Sequence, residues 1–274
     1  VVCRRQRQMC IRDRVVVACG NTSDDTADDV VDESSDTTEP AAEPEAPATT
    51  VASSSAPDGV FKLAIFQDPA TQNLFKWYDT DTDAYSLYQM TGQSVSLFGI
   101  SYPNYTLIPS MATELVETST DNGDGTFSYS VPIVEGYEWS DGNPITANDW
   151  VFTYNTAKGL PLLGQWAAVW PSNCEVECVT NVEATDDYTV KITFNYDPGL
   201  TGWQYGAAVA PALSQAYWEQ FATSREDLLA VSGADAPVAS AFVYEKIEQG
   251  AFYTWTYDPD TMYFGGETLS LIHI

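Results

Sequence analysis

A long acidic segment without aromatic residues limits where a fold can form in this chain. Residues Asn21 to Pro57 contain ten Asp and Glu, no Lys or Arg and no aromatic residue. Such a segment cannot bury enough apolar area to offset the conformational entropy lost on ordering. We therefore expect a disordered acidic linker over residues 20–58, held extended by like charges and proline, with the folded part after it.

Both ends of the chain have the character of sequencing-adapter sequence. Five of the 11 basic residues lie within the first 14 positions. One choice of codons for Met9 to Asp13 has a reverse complement that encodes Ser270 to Ile274, as expected of one inverted DNA repeat. We expect residues 1–14 and 269–274 to be adapter artefacts and the gene to be a fragment truncated at both ends, so the fold must come from the residues between.

The charge of the chain excludes several classes of partner. The formal net charge is −28, and the one histidine is His273, next to the last residue. DNA, RNA and anionic membranes are poor partners for such a protein, because they are bound by clustered Lys and Arg. With this single histidine, neither catalysis by a histidine base nor a histidine-ligated metal site is expected. We expect no nucleic-acid partner, no metal and no cofactor.

A short apolar run that ends in cysteine precedes the acidic linker. Residues 15–19 resemble the end of a bacterial lipoprotein signal, in which the cysteine, here Cys19, becomes lipidated. The run is shorter than the usual apolar core of about 7–15 residues. With the linker it predicts a protein held on the outer face of a membrane by a lipid, and no other stretch approaches the roughly 18 apolar residues of a membrane span. An untethered acidic tail is the alternative.

Strand and turn signals begin after the linker, within residues 59–268. Phe61 to Phe66 is a compact apolar run that predicts a strand ending at Asp68-Pro69. Further on, Asp121 to Gly125 contains Asn-Gly and Asp-Gly, which supply the positive φ that tight turns need. The alternating residues Thr126 to Ile133 then predict the second strand of a hairpin.

The most informative segment runs from Trp139 to Phe152. Ser140 to Pro144 has the composition of a turn, and Thr146 with Asp149 three residues later is typical of a capping box that opens a helix. Apolar residues then recur at helical spacing, namely Ala147, Trp150, Val151 and Tyr154. This pattern predicts a turn followed by a helix that packs one face on the core.

This segment resembles the signature of family 5 extracellular solute-binding proteins, the peptide- and nickel-binding receptors of ABC importers. The matching residues are Trp139, Ser140, Asp141, Gly142, Pro144, Thr146, Ala147 and Asp149. Further segments match in the order found in the family. Asp124-Gly125-Thr126 precedes the signature, and Val182 to Val190, Glu248-Gln249-Gly250 and Tyr263 to Gly266 follow it. The chain departs from the family at Ser240-Ala241-Phe242, where a Gly-Pro-aromatic turn is usual.

The resemblance extends over about Phe61 to Glu267 and implies both a fold and a function. The implied fold is α/β, of the periplasmic-binding-protein type II, and mainly its N-terminal lobe, because such receptors are typically much longer than this chain. The implied function is capture of oligopeptides or dipeptides and delivery to the permease of an ABC transporter, without catalysis. The protein would be a lipid-anchored monomer on the outer face of the bacterial cytoplasmic membrane. The signature residues themselves are expected to be structural.

The resemblance also implies where a ligand could bind. Peptides are enclosed between two lobes in this family and bind extended, in a mode similar to strand addition. Open α/β sheets bind ligands at the carboxyl ends of their strands. Gln67 and Asp68 follow the first strand, Tyr102 lies in a Pro-containing loop, and Trp203 and Tyr205 follow a later strand. Aromatic side chains give sequence-tolerant contact area, although each of these residues could instead belong to the core.

Two cysteines lie four positions apart in one loop. Outside the membrane, Cys174 and Cys178 are interpreted as a small disulfide, with free thiols as the alternative. They make a poor zinc site, since no histidine or further cysteine lies near them in the sequence.

Three alternatives to a peptide receptor remain open. The same family with an oligosaccharide or nickel ligand is the nearest, and the lack of histidine weakens nickel. A secreted glycoside hydrolase with paired carboxylates belongs to a different class. The sequence has no Gly-x-Ser-x-Gly motif, and a serine–histidine arrangement lacks its histidine. Finally, a lone lobe could be unable to close around any ligand.

Overall fold

The computed structural model describes residues 64–90, 92–170, 177–240, 242–248 and 250–257. The chain divides into two compact units, Val1–Val60 and Phe61–Ile274, and all described residues belong to the second. Several predictions lie outside the described residues: both adapter segments, the signal remnant with Cys19, the acidic linker, Cys174 and the segment Tyr263 to Gly266.

Short helices and antiparallel strands make up the described residues. The helices are α1 (Leu74–Asp79), α2 (Ala84–Gln89), α3 (Ala147–Gly159), α4 (Trp166–Val169), α5 (Gln215–Trp218) and α6 (Arg225–Ala230). The strands are β1 (Phe98–Ile100), β2 (Leu107–Pro109), β3 (Thr120–Asp121), β4 (Phe127–Pro132), β5 (Val179–Asp186), β6 (Thr189–Phe194), β7 (Phe242–Glu248) and β8 (Phe252–Tyr257). A π-helical turn, Leu200–Gln204, and 3₁₀ turns at Ala207–Val209 and Glu219–Phe221 lie among the connections.

A four-stranded antiparallel sheet with the order β3-β4-β6-β5 is the framework. In β6, every second residue is buried, namely Val190, Ile192 and Phe194, so one face of the strand packs on the core. Strands β5 and β6 are joined by a two-residue turn at Asp187-Tyr188, which confirms the strand pair expected there. α3 packs against this pair of strands.

The hairpin between β3 and β4 is confirmed, together with its turn chemistry. Asp121 accepts a hydrogen bond from the Gly123 N–H at 2.8 Å, and Asp124 accepts from the Thr126 N–H at 3.0 Å. The Thr126 hydroxyl also donates to Asp124, and these two hydrogen bonds lower the pKa of Asp124. Gly123 has φ +79°, as the Asn-Gly sequence predicts.

Every strand pair among the described residues is antiparallel, including the separate hairpins β1–β2 and β7–β8. The carboxyl-end argument used to place the ligand applies to open parallel sheets, so this lobe gives it no support. The strand predicted over Phe61 to Phe66 is also wrong across its described part. Ala64, Ile65 and Phe66 pair with no described strand, and Phe66 is 98% exposed.

The turn and helix of the signature form as predicted. Asp141 accepts a hydrogen bond from the Asn143 N–H at 3.1 Å, and Gly142 has φ +83°. A capping box of Thr146 and Asp149 opens α3. The predicted inner face is confirmed: Ala147, Trp150 and Tyr154 are buried, and Val151 is partly buried against the core.

The carboxylate of Asp149 does more than cap α3. One oxygen accepts from the Thr146 N–H at 3.0 Å and from the Trp139 indole at 3.4 Å, and the other accepts from the Gln215 N–H at 2.8 Å. Asp149 therefore joins the signature turn, α3 and the start of α5. Burial of this carboxyl raises its pKa to about 6, although the three hydrogen bonds oppose the shift.

Indole and phenyl rings fill the core around α1. Phe75 stacks on Trp166, and its edge meets Trp218, each with a centroid distance of 5.3 Å. The buried Asn73 caps α1 by accepting from the Lys76 N–H at 3.1 Å. Its amide donates to the carbonyl groups of Leu228 and Val231 at 2.7 and 2.9 Å, which fixes α1 to the end of α6.

A second contact between α1 and α6 is ionic. The side chain of Asp79 is fully buried and pairs with Arg225, which is one-third exposed. Asp79 also accepts a hydrogen bond from the Leu163 N–H at 2.5 Å. A buried carboxylate needs such partners, because an unpaired charge in the interior is strongly destabilising.

Replacing Asp149 with Asn should change how stability depends on pH. The folded-state pKa of about 6 lies above the unfolded value of 3.8, so protonation favours the folded state. The contribution is fully present below the unfolded pKa and is lost as the pH rises through about 6. Urea unfolding at several pH values should show the wild type losing about 3 kcal/mol relative to Asp149→Asn between about pH 3 and pH 7. A constant difference between the two proteins would contradict this assignment.

Candidate functional site

A cavity of about 280 Å³ opens where the loop before α1, the end of α6 and β8 meet. Its lining residues are Pro69, Ala70, Thr71, Gln72, Lys76, Gln89, Leu229, Ala230, Val231, Ser232 and Tyr253. α2 holds the loop in place, because the Ser86 hydroxyl accepts hydrogen bonds from the Ala70 and Thr71 N–H groups at 2.9 and 3.1 Å. The cavity therefore has a rigid wall made largely of polar loop residues.

Gln72 lines this cavity and carries a hydrogen-bond donor that has no partner among the described residues. Its Nε2 atom is buried and has no hydrogen-bond partner among the described residues. Gly233 packs directly on the backbone of Gln72 in a conformation with φ +74°, and a Cβ there would lie 2.2 Å from the Gln72 carbonyl oxygen. Buried polar groups in folded proteins are nearly always hydrogen-bonded, so an unpaired amide that lines a cavity is suited to a ligand acceptor.

The lysine of the cavity is already neutralised by the protein itself. Lys76 Nζ lies 3.0 Å from a carboxylate oxygen of Asp81. Asp81 follows the end of α1, and the next carboxylate, Asp83, caps α2 by accepting from the Tyr85 and Ser86 N–H groups. The charged groups on this side of the cavity are thus engaged in holding α1 and α2.

Asp68, a predicted ligand contact, lies at the edge of this cavity. It precedes the lining residue Pro69, is exposed, and faces the hydroxyl of Tyr253 at 3.5 Å. Burial, followed by the charge of Asp68, raises the pKa of Tyr253. The neighbouring Gln67 is also exposed. Sequence reasoning missed Gln72 and Tyr253. Gln72 lies three positions after the Asp-Pro pair, so a local signal was present. Tyr253 is distant in the sequence, and only the fold brings it to Asp68 and the cavity.

Two further predicted contacts, Tyr102 and Tyr205, come together through a third tyrosine. Tyr102 is 84% exposed and meets the ring of Tyr105 edge-on at 5.8 Å. The Tyr105 carbonyl accepts from the Tyr205 hydroxyl at 3.2 Å and from the Gln204 amide at 2.5 Å. We call Tyr102, Tyr105 and Tyr205 the tyrosine surface. Tyr105 was not predicted, although it lies three residues after Tyr102.

Trp203 does not fit its predicted role as a ligand contact. It is only 2% exposed, its indole donates to the Val116 carbonyl at 2.9 Å, and it stacks on Tyr129 at 3.7 Å. The large apolar area of an indole is more stabilising in the core than at a surface, which explains this placement. In the described residues, Trp203 belongs to the core.

Cys178 is disulfide-bonded. Its N–H donates to the Asn195 side chain at 2.7 Å, which ties the start of β5 to the end of β6. The expected partner, Cys174, lies outside the described residues, so the pairing of these two cysteines stays a prediction.

A second and more open cavity, of about 530 Å³, lies between α3 and the segment that starts at α5. No predicted site residue lines it. Within the described ranges, no three His, Cys, Asp or Glu side chains come close enough to hold a metal ion. No helix in the described part of the chain is both long and apolar enough to cross a bilayer.

Residues 106–269 match the sequence profile of a family described as bacterial extracellular solute-binding proteins, family 5 Middle. This match covers more than half of the chain, and it includes the Trp139 to Phe152 segment. No curated protein matches the sequence.

Solved structures of binding proteins share the fold. A periplasmic oligopeptide-binding protein of an ABC transporter from Thermotoga maritima is 19% identical, with a TM-score of 0.53, over 72% of this chain and 33% of that chain. Its structure with bound mannohexaose gives 20% identity, a TM-score of 0.53 and the same coverage. NikZ from Campylobacter jejuni, in complex with Ni(L-His), is 17% identical, with a TM-score of 0.50, over 70% of this chain and 34% of that chain.

These similarities define the fold as that of periplasmic binding proteins of type II. The chain spans about a third of the length of the structures it matches.

Replacing Trp203 or Tyr205 with alanine should have unequal effects on stability, because Trp203 lies in the core and Tyr205 at the surface. Trp203→Ala removes a buried stacked ring and should lower the free energy of unfolding by about 3–5 kcal/mol. Tyr205→Ala removes a half-exposed ring and should lower it by less than about 1 kcal/mol. Urea unfolding measures both. Equal effects would contradict the placement of Trp203 in the core.

Proposed function

The chain belongs to the family 5 bacterial extracellular solute-binding proteins, and on that premise we propose that it captures peptides for an ABC importer, without catalysis. Members of this family act outside the cytoplasm and work with ABC-transporter permeases. The proposed ligand is an oligopeptide or dipeptide, which the protein passes unchanged to the permease.

The observation that carries this proposal is the cavity beside Asp68, whose lining includes Gln72 with its unpaired amide donor. An extended peptide presents a carbonyl acceptor at every residue, so a fixed amide donor can bind it whatever its side chains are. Tyr253 and Gln89, on the cavity wall, add further polar groups. A ligand bound through its backbone needs this combination of fixed polar groups and free space.

The tyrosine surface supports a second candidate ligand, an oligosaccharide. Exposed aromatic rings offer broad faces to the apolar sides of sugar rings, and three tyrosines lie together here. Calorimetric titration of the full-length protein with a mannose hexamer and with a pentapeptide distinguishes the two ligands. Binding of the sugar alone would favour this second candidate.

We further propose that the protein is a monomer anchored by a lipid on Cys19 to the outer face of the cytoplasmic membrane. The motif before the acidic linker supports this proposal. Labelled palmitate should be incorporated into the full-length protein in bacterial cells, and Cys19→Ser should abolish the label. Equal labelling of the two proteins would contradict the anchor.

The role of Gln72 can be tested by replacing it with Leu. This change removes a buried donor without a partner, so the free energy of unfolding should stay the same or rise slightly. Peptide affinity should fall by about tenfold, because a hydrogen bond from a fixed donor is lost. Calorimetry on the full-length protein measures affinity, and thermal unfolding without ligand measures stability.

The matched control is Gln220→Leu, which makes the same change at an exposed site away from the cavity. It should leave peptide affinity unchanged. Mass spectrometry of the released ligand should find the intact peptide, in agreement with transport without catalysis. Cleaved peptide, or unchanged affinity in Gln72→Leu, would count against the proposal.

A further inference from the structure

We propose that the cavity selects peptides with positively charged side chains and that Asp68 pairs with that charge. This inference rests on the proposed function, because it names the class of peptide bound at the same site. It follows from how the positive and negative side chains of the described residues are engaged.

Every Lys and Arg among the described residues contacts a carboxylate or an aromatic ring of the protein itself. The pairs are Lys76 with Asp81 at 3.0 Å, Lys191 with Glu183 at 2.9 Å, Lys246 with Glu248 at 3.4 Å, and Arg225 with Asp79. The remaining cation, Lys158, lies over the ring of Tyr154 at 5.4 Å and donates to its hydroxyl at 3.2 Å. In the described part of the chain, a ligand carboxylate would therefore have to compete for each cation with an internal partner.

The carboxylates near the cavity differ in how strongly other groups of the protein bind them. Asp81 pairs with Lys76, and Asp83 caps α2 through two backbone N–H groups. Asp68 is exposed, and its contact with the Tyr253 hydroxyl is long, at 3.5 Å. A carboxylate can accept several hydrogen bonds. Asp68 thus has the capacity to receive an ammonium or guanidinium group at the edge of the cavity.

Gln72 and Asp68 would then recognise different parts of one ligand. The amide of Gln72 would bind a backbone carbonyl inside the cavity, and Asp68 would bind a cationic side chain at its edge. The net charge of the whole chain, −28, acts in the same direction, because a negative field attracts cations and repels acidic peptides during encounter. This preference should weaken as salt screens the charges.

The test uses the full-length protein and three pentapeptides with the same free ends: Ala-Lys-Lys-Lys-Ala, Ala-Ala-Ala-Ala-Ala and Ala-Glu-Glu-Glu-Ala. Calorimetry should give the highest affinity for the Lys peptide and the lowest for the Glu peptide. Asp68→Asn should weaken binding of the Lys peptide by about tenfold, since a charge-assisted pair is lost, and should leave the Ala peptide unchanged. Raising the salt concentration should narrow the difference between the Lys and Ala peptides.

Asp187→Asn is the matched control, because it removes the same charge from an exposed turn between β5 and β6. It should change the affinity for the Lys peptide by less than about twofold, since an exposed distant charge is screened. Equal losses in Asp68→Asn and Asp187→Asn would overturn the role of Asp68. Equal affinities of the wild type for the three peptides would overturn the charge preference and leave peptide binding standing. Failure of all three to bind would overturn the proposed function itself.

Discussion

One buried carboxylate, that of Asp149, connects the parts of the chain on which the rest of the described structure depends. It accepts hydrogen bonds from the signature turn, from the start of α3 and from the start of α5. Asparagine at this position could not accept all three hydrogen bonds through both side-chain groups, because its amide would turn a donor towards one of the N–H groups. The helix N-terminus favours the charge and burial opposes it, so this position balances two effects of opposite sign.

Local signals in the sequence predicted the local structure, since their causes lie within a few residues. The turn at Asp121 to Gly125, the capping box at Thr146 and the hairpin of β5 and β6 depend on backbone conformation and on short-range hydrogen bonds. The strand predicted at Phe61 to Phe66 was wrong over its described residues, because an apolar run becomes a strand only where another strand pairs with it.

The candidate site could be predicted only in part. Asp68 follows an apolar run, which is a local signal, but the cavity beside it also needs Tyr253 and the end of α6. The placement of Trp203 could not be predicted for the same reason. The sequence shows that a tryptophan is present, but only the fold decides whether its ring is exposed or buried against Tyr129. The pairing of every described Lys and Arg likewise depends on which side chains the fold brings together. The expectation of a peptide ligand came from the resemblance to the family and not from the chemistry of the individual residues.

The hydrogen bonds of Asn73 have a consequence for how the protein is made. They join α1 to carbonyl groups 155 and 158 positions further along the chain, and the pair of Asp79 with Arg225 spans 146 positions. Contacts of such separation raise the contact order, and each of them forms only after a long loop has closed. The cavity is therefore complete only once the residues near Val231 have docked against α1. Until then, the aromatic residues around α1 are exposed, and the chain depends on protection from aggregation.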